Sequence, residues 1–137
     1  MTGVIRQFSE CGAGWIGRLA LISTLAVVSV PTTATAQEYM SEKDLLTTIP
    51  GSTINAKSND GTPWVQAYSG YKGGKKKGVI KGIFGDKKFD AKWFVQDGQW
   101  CENWGDGQAC WQVERVDAKS LRMYENGEPR KNLWKLK

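Results

Sequence analysis

The sequence predicts a mainly β domain: an antiparallel meander curled into a small barrel or a strongly bent sheet, with one short helix ahead of it. From Trp64 onward apolar and polar residues alternate with a period of two, the pattern of half-buried strands. Turn signals recur every 8 to 12 residues, the spacing of a many-stranded β domain. Two of them, Asp97-Gly98 and Asn126-Gly127, suit two-residue hairpins, in which both central residues need positive φ. Strands joined this closely are antiparallel neighbours, because a parallel return needs a longer crossover.

The first 36 residues read as an export signal. Arg6 and Arg18 supply positive charge, Leu19 to Val30 is an uncharged apolar run, and Ala34-Thr35-Ala36 offers a small-x-small cleavage pattern before Gln37. The run is 12 residues long, short of the about 20 that a spanning helix needs. Cleavage is therefore expected, with no transmembrane segment in the mature chain. Cys11 precedes the run instead of following it, which argues against a lipid anchor. Removal leaves one domain, residues 37–137, with 17 basic and 13 acidic residues, a net charge of +4 and a single cysteine pair, Cys101 and Cys110. In the expected periplasmic or secreted location, a disulfide is the default state of that pair.

Residues 37–49 suit a short helix, with Ser41 and Asp44 as a capping pair and Leu45, Leu46 and Ile49 as its buried stripe. Pro50-Gly51 ends it, and Ser52 to Ala56 suits a first strand. The expected strands that follow are Trp64–Tyr71, Gly78–Phe84, Phe89–Gln96, Gln99–Trp104, Gln108–Val116, Ser120–Glu125 and Lys131–Leu136. A two-residue loop at Asp97-Gly98 sets Val95 opposite Trp100 and Trp93 opposite Glu102. A second, at Gly105-Asp106, sets Cys101 opposite Cys110, Trp100 opposite Trp111 and Glu102 opposite Ala109. The two assignments agree. Side chains alternate across a strand, so Phe89, Ala91, Trp93, Val95, Trp100, Trp104, Trp111 and Val113 share one face. The disulfide falls on the other, wetter face.

The helix is followed by Leu46-x-x-Ile49-Pro50-Gly51-Ser52-Thr53-Ile54. Further on come Trp93-Phe94-Val95-x-Asp97-Gly98-Gln99-Trp100-Cys101 and a Trp-Gly turn leading to Ala109-Cys110-Trp111. This arrangement resembles a family of small exported bacterial proteins catalogued as a domain of unknown function. The resemblance implies an envelope location and a single β domain, and it brings no catalytic residues with it.

The sequence contains no histidine, which excludes Ser-His-Asp and Cys-His nucleophile systems and histidine metal ligation. With both cysteines paired, no thiolate zinc site remains. Gly73-Gly74-Lys75-Lys76 lacks the Lys-Ser/Thr ending of a phosphate-binding loop. No cofactor is implied and an enzyme is not expected. Glu102 is the acid of interest, because the register projects it among Trp93, Trp100, Trp104 and Trp111. Burial raises a carboxyl pKa, and such groups gather at functional sites. The alternatives are a bulge that turns Glu102 outward, or pairing with Arg115 or a lysine. A carbohydrate-active enzyme using Glu102 and Asp106 is the least favoured reading, since glycosidases need two placed acids.

Six tryptophans follow the export signal. Trp93, Trp100 and Trp111 are expected as core packing, whereas Trp64 and Trp104 stand at strand ends where a ring can meet an apolar ligand or a sugar. Between Tyr71 and Lys92, eight lysines face two aspartates. Lys72, Lys75, Lys76, Lys77, Lys81, Lys87 and Lys88 are candidates to touch a polyanion, and Gly70, Gly73, Gly74 and Gly78 are expected to keep the loop mobile. The cluster lacks arginine, which disfavours bidentate base or phosphate recognition, and export makes nucleic acid an improbable partner. Two functions are expected ahead of catalysis. The first is a binding domain touching an anionic envelope polymer or an acidic protein through the lysine loop. The second is a small barrel carrying an apolar or sugar ligand among Trp64, Trp104 and Glu102. The oligomeric state is not legible.

Overall fold

The computed structural model describes residues 28–137, so most of the expected export signal lies outside the described residues. Residues 28–36 carry no regular structure, and Thr35–Lys137 forms the unit described below. Helix α1 (Glu42–Thr48) begins at Ser41, whose hydroxyl accepts from the Asp44 N–H at 3.2 Å while the Asp44 carboxylate accepts from the Ser41 N–H. This reciprocal cap starts the helix later than the sequence pattern suggests. The residues before it run instead beside the sheet, where the Met40 N–H donates to Val113 O at 2.7 Å.

Nine strands follow: β1 (Thr53–Lys57), β2 (Pro63–Tyr68), β3 (Lys77–Phe84), β4 (Lys87–Gln96), β5 (Gln99–Asn103), β6 (Gln108–Asp117), β7 (Ser120–Glu125), β8 (Glu128–Pro129) and β9 (Trp134–Leu136). Each of β1 to β7 pairs antiparallel with the next, and β9 pairs with β7 on one side and β1 on the other. Those eight strands close a barrel, to which β8 adds a short strand on β7. Closure satisfies the backbone groups that an open sheet would leave at its edges. The last strand is shorter than expected because the Asn132 side chain ties the preceding segment to Lys57 O and Ser58 O, at 3.1 and 2.9 Å.

The register of the middle hairpins is the one the turns predict, with Val95 opposite Trp100, Trp93 opposite Glu102, Trp100 opposite Trp111 and Cys101 opposite Cys110. Asp97 and Gly98 have φ of 52° and 71°, and Asn126 and Gly127 have φ of 52° and 82°, as such turns require. Cys101 and Cys110 form a disulfide. It lies on the outer face, but Cys101 is fully buried there beside Phe94, its cross-strand neighbour, so this patch of the outer face is not wet.

The interior is layered. Leu45 and Leu46 of α1 and Ile49, its C-cap, join Ile54, Ile80, Val113, Leu121 and the stacked Trp93–Trp100 pair, whose ring centroids are 5.0 Å apart. Helix α1 sits at the end bearing the β2–β3 loop and the β6–β7 turn. There Lys76 pairs with Glu42, and the Arg115 guanidinium donates to Thr48 Oγ1 at 2.7 Å. That end is plugged. Gly78, which opens an expected strand and also counts among the glycines of the lysine loop, lies within β3 directly opposite Trp93. A Cβ there would stand 2.2 Å from Ser69 Oγ and 2.5 Å from Trp93 Nε1. Only glycine lets the buried indole cross the backbone and donate to Ser69 Oγ at 3.2 Å.

Two stability outcomes follow from this packing. Gly78→Ala overpacks a site bounded by an immobile ring and should cost about 1–3 kcal/mol in urea unfolding; an unchanged midpoint would contradict the close approach. Replacing both Cys101 and Cys110 with Ser opens a ring of separation 9 and should cost about 2–3 kcal/mol by the chain-entropy relation. Identical unfolding of the oxidised and reduced wild-type protein would refute that value.

Candidate functional site

The other end of the barrel, formed by the β1–β2, β3–β4 and β5–β6 turns, holds a cavity of about 850 Å³. Strand parity explains its lining. Trp64 and Gln66 point inward from β2, Phe89 from β4, Glu102 from β5, Trp111 from β6, Met123 from β7 and Trp134 from β9. Trp104 stands just past β5, in a turn where its N–H donates to Gly107 O at 2.9 Å and the Gly105 N–H donates to Asn103 Oδ1 at 2.8 Å. The indoles form a continuous wall. Trp134 meets Trp64 edge-on at 5.2 Å and Trp111 at 5.5 Å, and Trp111 meets Trp104 at 6.0 Å. Phe84, 43% exposed, marks the mouth.

Glu102 and Gln66 form the floor, only 1% and 5% exposed. Glu102 Oε1 accepts from Trp100 Nε1 at 3.1 Å and from the Tyr68 hydroxyl at 2.8 Å, and Gln66 Nε2 donates to Glu102 Oε2 at 3.2 Å. Tyr68 O–H also lies within bonding distance of Gln66 Oε1. The ring of contacts therefore contains two close oxygen pairs, Tyr68 with Glu102 and Tyr68 with Gln66, but the tyrosine has one proton. With the Gln66 amide as it stands, both pairs are satisfied when Glu102 carries a proton: Glu102 donates to Tyr68, Tyr68 to Gln66 Oε1, and Gln66 Nε2 to Glu102 Oε2. Electrostatics points the same way. Burial, the largest effect, pushes the Glu102 carboxyl above its ordinary value, against smaller pulls downward from the hydrogen bonds of Trp100, Tyr68, Gln66 and Trp104. Burial and then Glu102 push the Tyr68 hydroxyl well up, so it stays a donor.

Among the described residues no cation pairs with Glu102. Arg115, a sequence-level candidate partner, is engaged with Thr48 and Ala118 O. No group of three acidic or cysteine side chains among the described residues is placed to hold a metal ion. No family model matches this chain, and neither does any curated protein or solved structure.

The sequence-level site residues divide. Trp64, Trp104 and Glu102 line one cavity, and Asp106 stands on its rim. Trp111 is core-packed as predicted but also lines the cavity, with its indole nitrogen buried and without an acceptor among the described residues. The lysines do not converge. Lys72, Lys75, Lys76 and Lys77 lie in or next to the β2–β3 loop at the plugged end, and Lys76 is paired there with Glu42. Lys81 lies mid-strand, 3.1 Å from Asp90. Lys87 and Lys88 reach the cavity rim at the far end of the same hairpin, about 20–23 Å from Lys77 along the strand at the usual rise per residue. Gln66, Tyr68 and Trp134 were missed as site residues. The Trp64-x-Gln66-x-Tyr68 alternation was the available signal, because it sets a glutamine on an inward parity.

A carboxyl whose folded pKa is raised above its ordinary 4.5 favours folding most below that value, and the contribution is lost as pH rises through the folded pKa. Each pH unit crossed between the two costs about 1.4 kcal/mol. Glu102→Gln keeps the shape without the ionisation. Its melting temperature relative to wild type should therefore climb between pH 4 and pH 8, and a difference that is flat or falling with pH would refute a neutral floor acid.

Proposed function

We propose that this protein is a non-enzymatic binding barrel that holds one small, largely apolar ligand in its tryptophan-lined end. The observation that carries the reading is the cavity of about 850 Å³, which falls in the range of about 300–1,000 Å³ common for small-molecule sites. An eight-stranded barrel is narrow enough to fill itself with side chains or to keep room for one small ligand. Here α1 and the stacked Trp93–Trp100 pair fill one half and leave the other open. Apolar walls with a few fixed polar groups at depth are the usual composition of such sites, and the Glu102–Gln66–Tyr68 set supplies those groups. A formed disulfide suits an oxidising compartment, which supports export as the setting.

Contact with an anionic polymer through the lysine loop, first in rank from sequence, is the weaker reading. The lysines are distributed over both ends of the barrel, and two of them already face carboxylates. Catalysis by Glu102 is weaker still, because the acid is tied into a closed hydrogen-bonded set.

Titration with small aromatic and alkyl compounds should change the tryptophan fluorescence saturably, at one equivalent per chain. Trp104→Ala should weaken that binding about tenfold, the value of one aromatic contact of about 1.4 kcal/mol. Lys75→Gln combined with Lys77→Gln should leave it unchanged. Binding that survives Trp104→Ala but is lost with the lysines would overturn the assignment in favour of the loop.

A further inference from the structure

The cavity has a charge gradient along its axis. Its walls are indoles and phenyl rings, and its floor acid is surrounded by neutral donors. The rim carries Lys57, Lys87, Lys88 and Arg130 against Asp60 and Asp106. Arg130 is 3.1 Å from Glu125. Asp60 faces its own turn, accepting from the Ser58 hydroxyl and from the Thr62 N–H at 3.0 Å. Lys57, Lys87 and Lys88 are exposed, and among the described residues none of them forms an ion pair. They come from two strand ends, the end of β1 and the start of β4, that the barrel brings to one opening.

Building on the binding-barrel reading, we infer that the ligand is a small organic anion with an apolar body, bound with its body against Trp64, Trp104, Trp111 and Trp134 and its anionic group at Lys57, Lys87 and Lys88. An indole wall alone would also suit a cation, since a cation is attracted to the ring face. Two features select against one. The entrance holds four basic side chains, Lys57, Lys87, Lys88 and Arg130, against two acidic ones, Asp60 and Asp106, and this net positive balance repels a cation on its way in and draws an anion toward the opening. At depth, Glu102 is enclosed by the neutral groups of Gln66, Tyr68 and Trp100 and is shut away from solvent, a setting that disfavours its charged form, so the floor gives a cation little to pair with and the body of an anion little to repel it. A neutral ligand would have no use for the rim. The apolar walls and the cationic rim are used together only by a molecule that is apolar at one end and anionic at the other.

The test is calorimetric titration of the full-length chain with two matched series, one with a naphthalene body and one with a decyl body. Each series carries a carboxylate, a neutral carboxamide or a trimethylammonium head. In at least one series the carboxylate should bind about tenfold more tightly than the carboxamide, the sum expected of several partly exposed ion pairs. That advantage should shrink with added salt. Lys57→Gln, Lys87→Gln and Lys88→Gln together should remove the advantage while leaving carboxamide binding within about twofold, because the walls are untouched. Lys72→Gln with Lys75→Gln, at the plugged end, should change neither. Equal binding of all three heads, or tightest binding of the trimethylammonium compound, would overturn the anion while leaving the binding barrel intact. Absence of binding by either series would overturn both.

Discussion

The structure depends on side-chain alternation held in step across three strands. Strands β4, β5 and β6 are joined by turns too tight to slip, so the parity of one strand dictates that of the next. Trp93 on β4, Trp100 and Glu102 on β5, and Trp111 on β6 all point inward as a consequence. A shift of one residue would turn the indoles outward and bring the sulfurs inside. The disulfide opposes such a shift from the outer face, and the stacked Trp93–Trp100 rings oppose it from within.

The same register places a carboxyl in an aromatic interior. An isolated buried carboxylate is strongly disfavoured, and here burial raises the carboxyl pKa while hydrogen bonds from Trp100, Tyr68 and Gln66, with no cation among the described residues, compensate. Tyr68 and Gln66 from β2 meet Glu102 from β5 across the barrel, a contact between strands far apart in sequence that exists only because the sheet closes. Below this set the barrel is packed solid against α1, and above it the space is open. The polar set thus marks the boundary between the half that stabilises the fold and the half that is available to a ligand.

How much of this was legible follows from the range of each interaction. The turns at Asp97-Gly98 and Asn126-Gly127, the capping pair at Ser41 and Asp44, and the Cys101–Cys110 pairing are all local, and each can be derived from neighbouring residues. The choice between a barrel and a bent sheet was not, because it rests on β9 joining both β1 and β7, at a sequence distance of about 80 residues in the case of β1. The spatial spread of the lysines was not legible for a related reason: β3 carries the chain from one end of the barrel to the other, so Lys87 and Lys88 stand at the opposite end from Lys72, Lys75, Lys76 and Lys77. Lys57, far from that cluster in sequence, is a closer companion of Lys87 and Lys88 than Lys72 is. The sequence places Gly78 in a strand, but what the fold uses it for, a tight crossing with Trp93, depends on a partner strand and is not local.

The central claim is that the barrel has a filled half and an open half, and that a ligand enters the open one. Indole N–H resonances in a nitrogen-labelled sample report each half separately. On titration with a compound that binds, the signals of Trp64, Trp104, Trp111 and Trp134 should move and saturate together at one equivalent, while that of Trp93 should stay in place. Movement confined to Trp93, or scattered equally over all of these indoles without saturation, would contradict the account.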